Sequence, residues 1–356
     1  MRRIVAAIIF ITVLFVGLGV LTVVTLPYPE YTDAFPAFSY QEKNSIDVLV
    51  IGNSHAFTAY SPMQVWEELG VSSWVLGSGG VNAEQKLALL EQGLKTQSPR
   101  LVILELWNLD EEDYPLPNSD ARNENFYRRM PFGAPKLRSA YKNFNGEITW
   151  SYIFPLMRYH SRYAELERRD VIKLLRKRSV RKSSAGAALR TEVRKREFDT
   201  LYPVDFTAQS ITNVERDKRS TNLAYIKKCV KLIQDSGATP ILLMSPVANV
   251  TNRTKNDLDK QVILSDELLL RIKLIDMNDP ELAADAGFVF EDFRDPGHLY
   301  LWGMHKSTNW LINNVLSPEF KDSAARGYPS QSIAWWDKQV NEWKKRTDEF
   351  MNLGSQ

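Results

Sequence analysis

The stretch Ile46-Asp47-Val48-Leu49-Val50-Ile51-Gly52-Asn53-Ser54-His55 decides the architecture. An almost unbroken apolar run over Ile46–Ile51, ended by glycine, predicts a strand buried on both faces rather than one with a wet side. Outward from it the same theme repeats. Pro62–Leu69 begins a helix, Val71–Leu76 is a second strand, Asn82–Lys95 an amphipathic helix, and Leu101–Leu106 a third strand after Pro99. Later come a helix over Thr221–Ser236 stopped by Gly237, a buried strand at Pro240–Met244, and a helix over Ser265–Leu274 leading to a short strand near Ile275. Helices at Gly303–Leu316 and Ser332–Asn352 complete the pattern. Strands alternating with helices predict an α/β fold with a parallel sheet covered on both faces.

The interval 110–220 breaks that rhythm and is expected to be a partly helical insertion. Its basic stretch Arg168–Arg196, with RKRSVRK at 176–182, is either a solvated helical face or a surface for anionic lipid or polymer. Globally the 45 lysines and arginines nearly balance the 43 acidic residues, so the chain as a whole gives no reason to expect nucleic-acid binding. Cys229 is the only cysteine, which excludes a disulfide framework and a cysteine zinc site and points weakly to a bacterial surface protein.

The other end of the logic is the N-terminus. Arg2 and Arg3 precede an uncharged apolar run from Ile4 to Leu26, long enough at about 1.5 Å per residue to span a bilayer core of roughly 30 Å. The leading arginines place residues 1–3 in the cytoplasm and the rest of the chain on the far side. A cleaved signal peptide is the rival reading, but Thr22–Leu26 offers no small-x-small cleavage pattern. Residues 27–45, rich in Pro, Tyr and Phe, read as a linker, 46–320 as the main domain, and 321–356 as a C-terminal aromatic helix.

Ser54 follows the first strand directly, where open α/β sheets place their functional crevice. A serine is a weak nucleophile without a base, and the chain has four histidines: His55, His160, His298 and His305. Asp295-Pro296-Gly297-His298 supplies an acid three residues before an imidazole, a spacing that lets the carboxylate meet Nδ1 and leaves Nε2 for a serine. Taken singly, a capping serine in a turn and a loop salt bridge explain the two motifs as well; the combination in this order favours chemistry. Gly77-Ser78-Gly79-Gly80-Val81-Asn82, after the second strand, suits backbone donors aimed at an oxyanion. A nucleotide-binding turn fits it less well, because Asn82 stands where the third glycine of that pattern belongs.

Together these motifs resemble the SGNH/GDSL hydrolase superfamily. That resemblance implies a three-layer α/β/α flavodoxin-like domain, with Ser54 as nucleophile, Gly80 as oxyanion glycine beside the Ser54 N–H, Asp295 as orienting acid and His298 as base. The third motif departs from the family pattern: Glu105-Leu106-Trp107-Asn108 lacks the usual Gly-x-Asn-Asp, so Asn108 is either a third oxyanion donor or an ordinary polar residue after a strand. A finer resemblance, carried by the anchor, Gly-Asn-Ser-His, Phe154-Pro155-Leu156, Tyr159-His160-Ser161-Arg162 and Asp295-x-x-His298-Leu299, is to membrane-anchored bacterial proteins similar to the D-alanine-transfer protein of teichoic acid synthesis and the alginate O-acetylation proteins. It implies serine-dependent acyl transfer or ester hydrolysis on an extracytoplasmic cell-envelope glycan or teichoic-acid-like polymer, beside a membrane-bound O-acyltransferase. A non-catalytic scaffold of the same fold is the alternative, and a membrane-lipid lipase a weaker one.

Some residues keep two readings. His160 and Arg162 either hold substrate over the crevice or pin the insertion to the core, and His55 shapes the site rather than acting as a second base. His305 shares a helix face with His298 but has no further ligand at suitable spacing, so no metal and no cofactor are expected. Trp335, Trp336 and Trp343 form an apolar helix face for the core, the membrane or a membrane partner. Sequons at Asn249 and Asn252 matter only in a eukaryotic secretory pathway.

Overall fold

The structure is a computed structural model that describes residues 2–26, 37–39, 41–107, 109, 120–144, 146, 150–168, 170–171, 184–188, 213–248, 250–321, 327–328 and 330–354. Helix α1 (Arg2–Thr25) is apolar and long enough to cross a membrane, and it stands clear of the domain until its last turn, where Val24 and Thr25 are buried. Next come β1 (Val48–Gly52), α2 (Ser54–Ala59), α3 (Pro62–Leu69), β2 (Ser73–Gly77), α4 (Ala83–Leu94) and β3 (Leu101–Glu105). Then come α5 (Asp120–Arg129), α6 (Ala134–Asn143), α7 (Trp150–Ile153) and α8 (Pro155–Tyr159), the last running into a 3₁₀ turn at His160–Glu165. The second half contains α9 (Asn213–Asp235), β4 (Thr239–Met244), α10 (Val250–Leu264), β5 (Lys273–Asp276) and α11 (Pro280–Asp285). It closes with a two-stranded hairpin, β6 (Phe293–Asp295) and β7 (His298–Leu299), then α12 (Leu301–Leu311), α13 (Ser317–Phe320) and α14 (Ser330–Gly354).

The five main strands form one parallel sheet in the order β2-β1-β3-β4-β5. Because side chains alternate along a strand, the sheet feeds two cores. Leu49, Ile51, Val102, Leu104, Leu242 and Met244 join one with α4, α9 and α14; Val48, Val50, Ile103, Ile241, Leu243 and Ile275 join the other with Leu311, Ile312 and Val315. From β1 the chain steps to β2 on one side and then to β3 on the other. A reversal of this kind opens a crevice at the carboxyl ends of the strands.

Local chemistry sets the element ends. Ser61 caps α3 at its N-terminus, Pro62 fills its first turn, and Gly70 ends it in a left-handed conformation. Asn82 and Gln85 form a capping box on α4. The helix expected over 265–274 is corrected. The helix lies earlier, at Val250–Leu264, and Asp266 then accepts the N–H groups of Leu268 and Leu269 at 3.0 and 3.1 Å, winding a tight turn into β5. Residues 37–39 and 41–45 are also less free than a linker. Phe38 packs edge-on against Trp74 at 5.7 Å, and the Gln97 side chain accepts the N–H groups of Ser45 and Ile46. Trp336 stacks on Trp66 at 5.3 Å and is buried, so the aromatic face of α14 turns inward. The basic run 176–182 and Asn249 lie outside the described residues.

At the far edge of the sheet, the short segment 184–188 lies along β2. Val75 N–H donates to Ala185 O at 2.9 Å, and Ala188 N–H donates to Phe57 O at 2.8 Å. A Cβ on Gly186 would fall 1.9 Å from Val75 O, so only glycine permits this approach.

Candidate active site

The turn from β1 into α2 is possible because residue 52 has no side chain. A Cβ there would sit 2.5 Å from Ala56 Cβ and 2.7 Å from Glu105 Cβ. Asn53 caps the helix by accepting the His55 N–H at 2.9 Å, which makes Ser54 the first helical residue. At that position its own N–H has no acceptor within the helix.

The hairpin β6–β7 brings the rest. Asp295 Oδ1 accepts the Gly297 N–H at 3.0 Å and the His298 Nδ1–H at 2.7 Å. That leaves His298 Nε2 to accept the Ser54 hydroxyl proton, also at 2.7 Å and across 244 positions of sequence. All three residues are half-buried, so solvent reaches the row. Burial by itself would raise the Asp295 carboxyl, but the His298 hydrogen bond and charge, the Gly297 N–H and Arg294 outweigh it and hold the acid below its usual range.

His55 faces the same row from beneath. Its ring stacks on Trp107 at 3.9 Å and on His298 at 4.8 Å, and Gly297 lies against it. The residue is buried, and its Nδ1 meets no hydrogen-bond partner among the described residues. Burial first, then the charges of His298 and Lys86, push its imidazole well below the ordinary value, so it stays neutral.

No protein-family model matches the chain, and no curated protein matches it significantly. The site must therefore be read from its own geometry.

Below the serine turn lies a buried ion pair that the sequence did not single out. Lys86 Nζ contacts Glu105 Oε2 at 3.3 Å and Glu105 O at 2.7 Å, both side chains being almost wholly inaccessible. Glu105 also accepts the Asn53 N–H at 3.4 Å and the Trp107 N–H at 2.6 Å. One carboxylate thereby ties the Ser54 turn, the loop after β3 and α4 together. The signal was a lone acid closing an apolar strand, where burial demands a partner.

Gly80 sits in the turn after β2 with φ +65°, and Arg122 of α5 lies over it: a Cβ on Gly80 would meet Arg122 Cδ at 2.5 Å. The pairing of Gly52 with Gly77 places that turn beside the Ser54 turn. Asn108 lies outside the described residues; its neighbour Leu109 is fixed by Asp259, which accepts its N–H, and Asn222, which donates to its carbonyl. His160 and Arg162 are not brought into the Ser54 row. Arg162 Nη1 donates to Thr25 O at 2.5 Å, at the end of α1, and His160 Nδ1 pairs with Met157 O at 3.0 Å. Their partners lie at the end of α1 and within their own segment, neither in the Ser54 row nor in the core of the sheet. His305 stacks on Trp343 at 5.1 Å, and burial lowers its imidazole too.

Proposed function

We propose that the chain is an SGNH-type serine esterase or O-acyltransferase, held at a membrane by α1 and acting on an extracytoplasmic cell-envelope glycan or teichoic-acid-like polymer. The observation that carries the reading is the unbroken hydrogen-bond row Asp295–His298–Ser54 at the carboxyl end of a parallel sheet. The strand order adds support, since 2-1-3-4-5 is the flavodoxin-like arrangement with its switch point beside β1.

In this mechanism His298 takes the Ser54 proton while Asp295 holds the imidazole in the required tautomer. Ser54 Oγ attacks the acyl carbonyl, and the Ser54 and Gly80 N–H groups receive the oxyanion. His298 returns the proton to the leaving oxygen. The acyl-serine then passes its acyl group to a glycan hydroxyl or to water, with His298 again as base. Arg2 and Arg3, at the N-terminal end of α1, support a cytoplasmic start and an extracytoplasmic domain.

The test is labelling of the full chain with a fluorophosphonate probe, followed by turnover of an aryl acetate with and without an oligosaccharide acceptor. Covalent labelling at Ser54, lost in Ser54→Ala with the fold intact, is expected. Turnover of that variant should drop by about 10⁴-fold or more. A folded wild-type chain that neither labels nor turns over an ester would replace the enzyme with the scaffold reading, which Glu105-Leu106-Trp107-Asn108 in place of Gly-x-Asn-Asp favours.

A further inference from the structure

The residues around the end of α1 have a chemistry that the active site does not use. Phe132, Trp150, Met157 and Tyr163 are 65, 51, 56 and 73 % exposed, with Phe154 close behind. Three of them are gathered, with Phe154 stacked on Phe132 and on Trp150, both at 5.8 Å, and Met157 and Tyr163 follow in α8 and its 3₁₀ turn. Large apolar side chains gathered on a surface mark something that covers them.

Their position says what does. Helix α8 and the following 3₁₀ turn pack against α1, and Arg162 donates to the carbonyl of Thr25 in its last turn. A cation there satisfies a carbonyl that the helix leaves unpaired and suits the negative end of the helix dipole. Arg162 is itself braced by Glu165 and Asp170, each at 3.8 Å. At about 1.5 Å per residue, 24 residues of α1 span about 36 Å, more than a hydrocarbon core of roughly 30 Å. Only the final turn is covered by protein, so the elements that cover it lie at the depth of the headgroups. Aromatic rings are the side chains enriched at that depth.

We infer that the face formed by Phe132, Trp150, Phe154, Met157 and Tyr163 rests in the headgroup layer of the bilayer that α1 crosses, fixing the height and tilt of the domain above it. The inference depends on the membrane-anchor part of the proposed function. It does not depend on the chemistry at Ser54.

The experiment uses the full chain in phosphatidylcholine–phosphatidylglycerol vesicles, with a nitroxide on one introduced cysteine at a time. Cys229 is buried and its thiol pushed up to about 12 by burial, so it stays unlabelled. Labels at Met157→Cys and Tyr163→Cys are expected to favour collision with oxygen over a water-soluble nickel complex severalfold more than a label at Leu270→Cys, on the exposed turn before β5. A label at Leu14→Cys checks the anchor. If Leu14 reports lipid while Met157 and Tyr163 match Leu270, the face is in water and the inference is overturned. Protection of Met157 and Tyr163 from both reagents would overturn it in favour of a protein partner. A water-exposed Leu14 would remove the anchor reading beneath it. Circular dichroism of each labelled chain confirms that the fold is kept.

Discussion

Two rows of polar groups meet at the end of β1, and water reaches only one of them. Asp295, His298 and Ser54 are half-buried along the crevice and are joined by two 2.7 Å hydrogen bonds. Lys86 and Glu105, just beneath, are sealed and hold the backbone on which Ser54 stands. His55 lies between the rows, in contact with the upper one yet neutral like the apolar core around it. In the proposed mechanism the groups that exchange a proton lie where solvent reaches them. Groups meant to hold position are placed where nothing can exchange with them. A buried ion pair adds little net stability over an apolar substitute, so its worth here is positional.

The comparison breaks first in the upper row. Asp295→Asn keeps the shape but leaves His298 in the wrong tautomer, and ester turnover should fall by about 10³–10⁴-fold with the thermal midpoint almost unchanged. A fall of less than tenfold would mean that the carboxylate does not orient the base. The lower row should respond in the opposite sense. Lys86→Met strands Glu105 in the core, and urea unfolding should show a loss of about 3–5 kcal/mol. Adding Glu105→Gln should recover part of it, because the stranded charge is gone. Equal stability of all three chains would show that the pair is not needed to hold the turn.

The smallest effect concerns the imidazole between the rows. His55 is held neutral in the fold, well below its ordinary value, whereas in the unfolded chain it protonates below a pH of about 6.5. The unfolded state therefore binds the extra proton, so stability is full above that pH and is lost progressively on acidification. His55→Phe keeps a ring against Trp107 and should flatten this limb of the urea midpoint between about pH 6.5 and 5. An unchanged slope would assign the acid sensitivity to other groups.

Much of the upper row was legible in the sequence because each half is local. Gly52 and Ser54 follow an unmistakably apolar strand, and Asp295 and His298 are three residues apart. What could not be read were contacts between distant segments that no motif announces. Lys86 looks like a surface cation on an amphipathic helix until β3 brings Glu105 to it. Arg162 resembles a substrate-binding cation until α1 presents Thr25, 137 positions away. The helix forecast over 265–274 failed for a local reason, since leucine and isoleucine serve a 3₁₀ turn and a short strand as well as a helix, and Asp266 decided between them.

The segment 184–188 has a consequence for how many copies of this chain can share a crowded space. Strand β5, at one border of the sheet, is only four residues long and exposes Lys273, which discourages pairing with a neighbour. Strand β2 at the opposite border, Ser-Trp-Val-Leu-Gly, has no such deterrent and would offer its free amides as a template for association. Ala185 and Gly186 occupy that border. The protein thus carries its own occupant for that border, and the close approach depends on a glycine far from Ser54 in the chain.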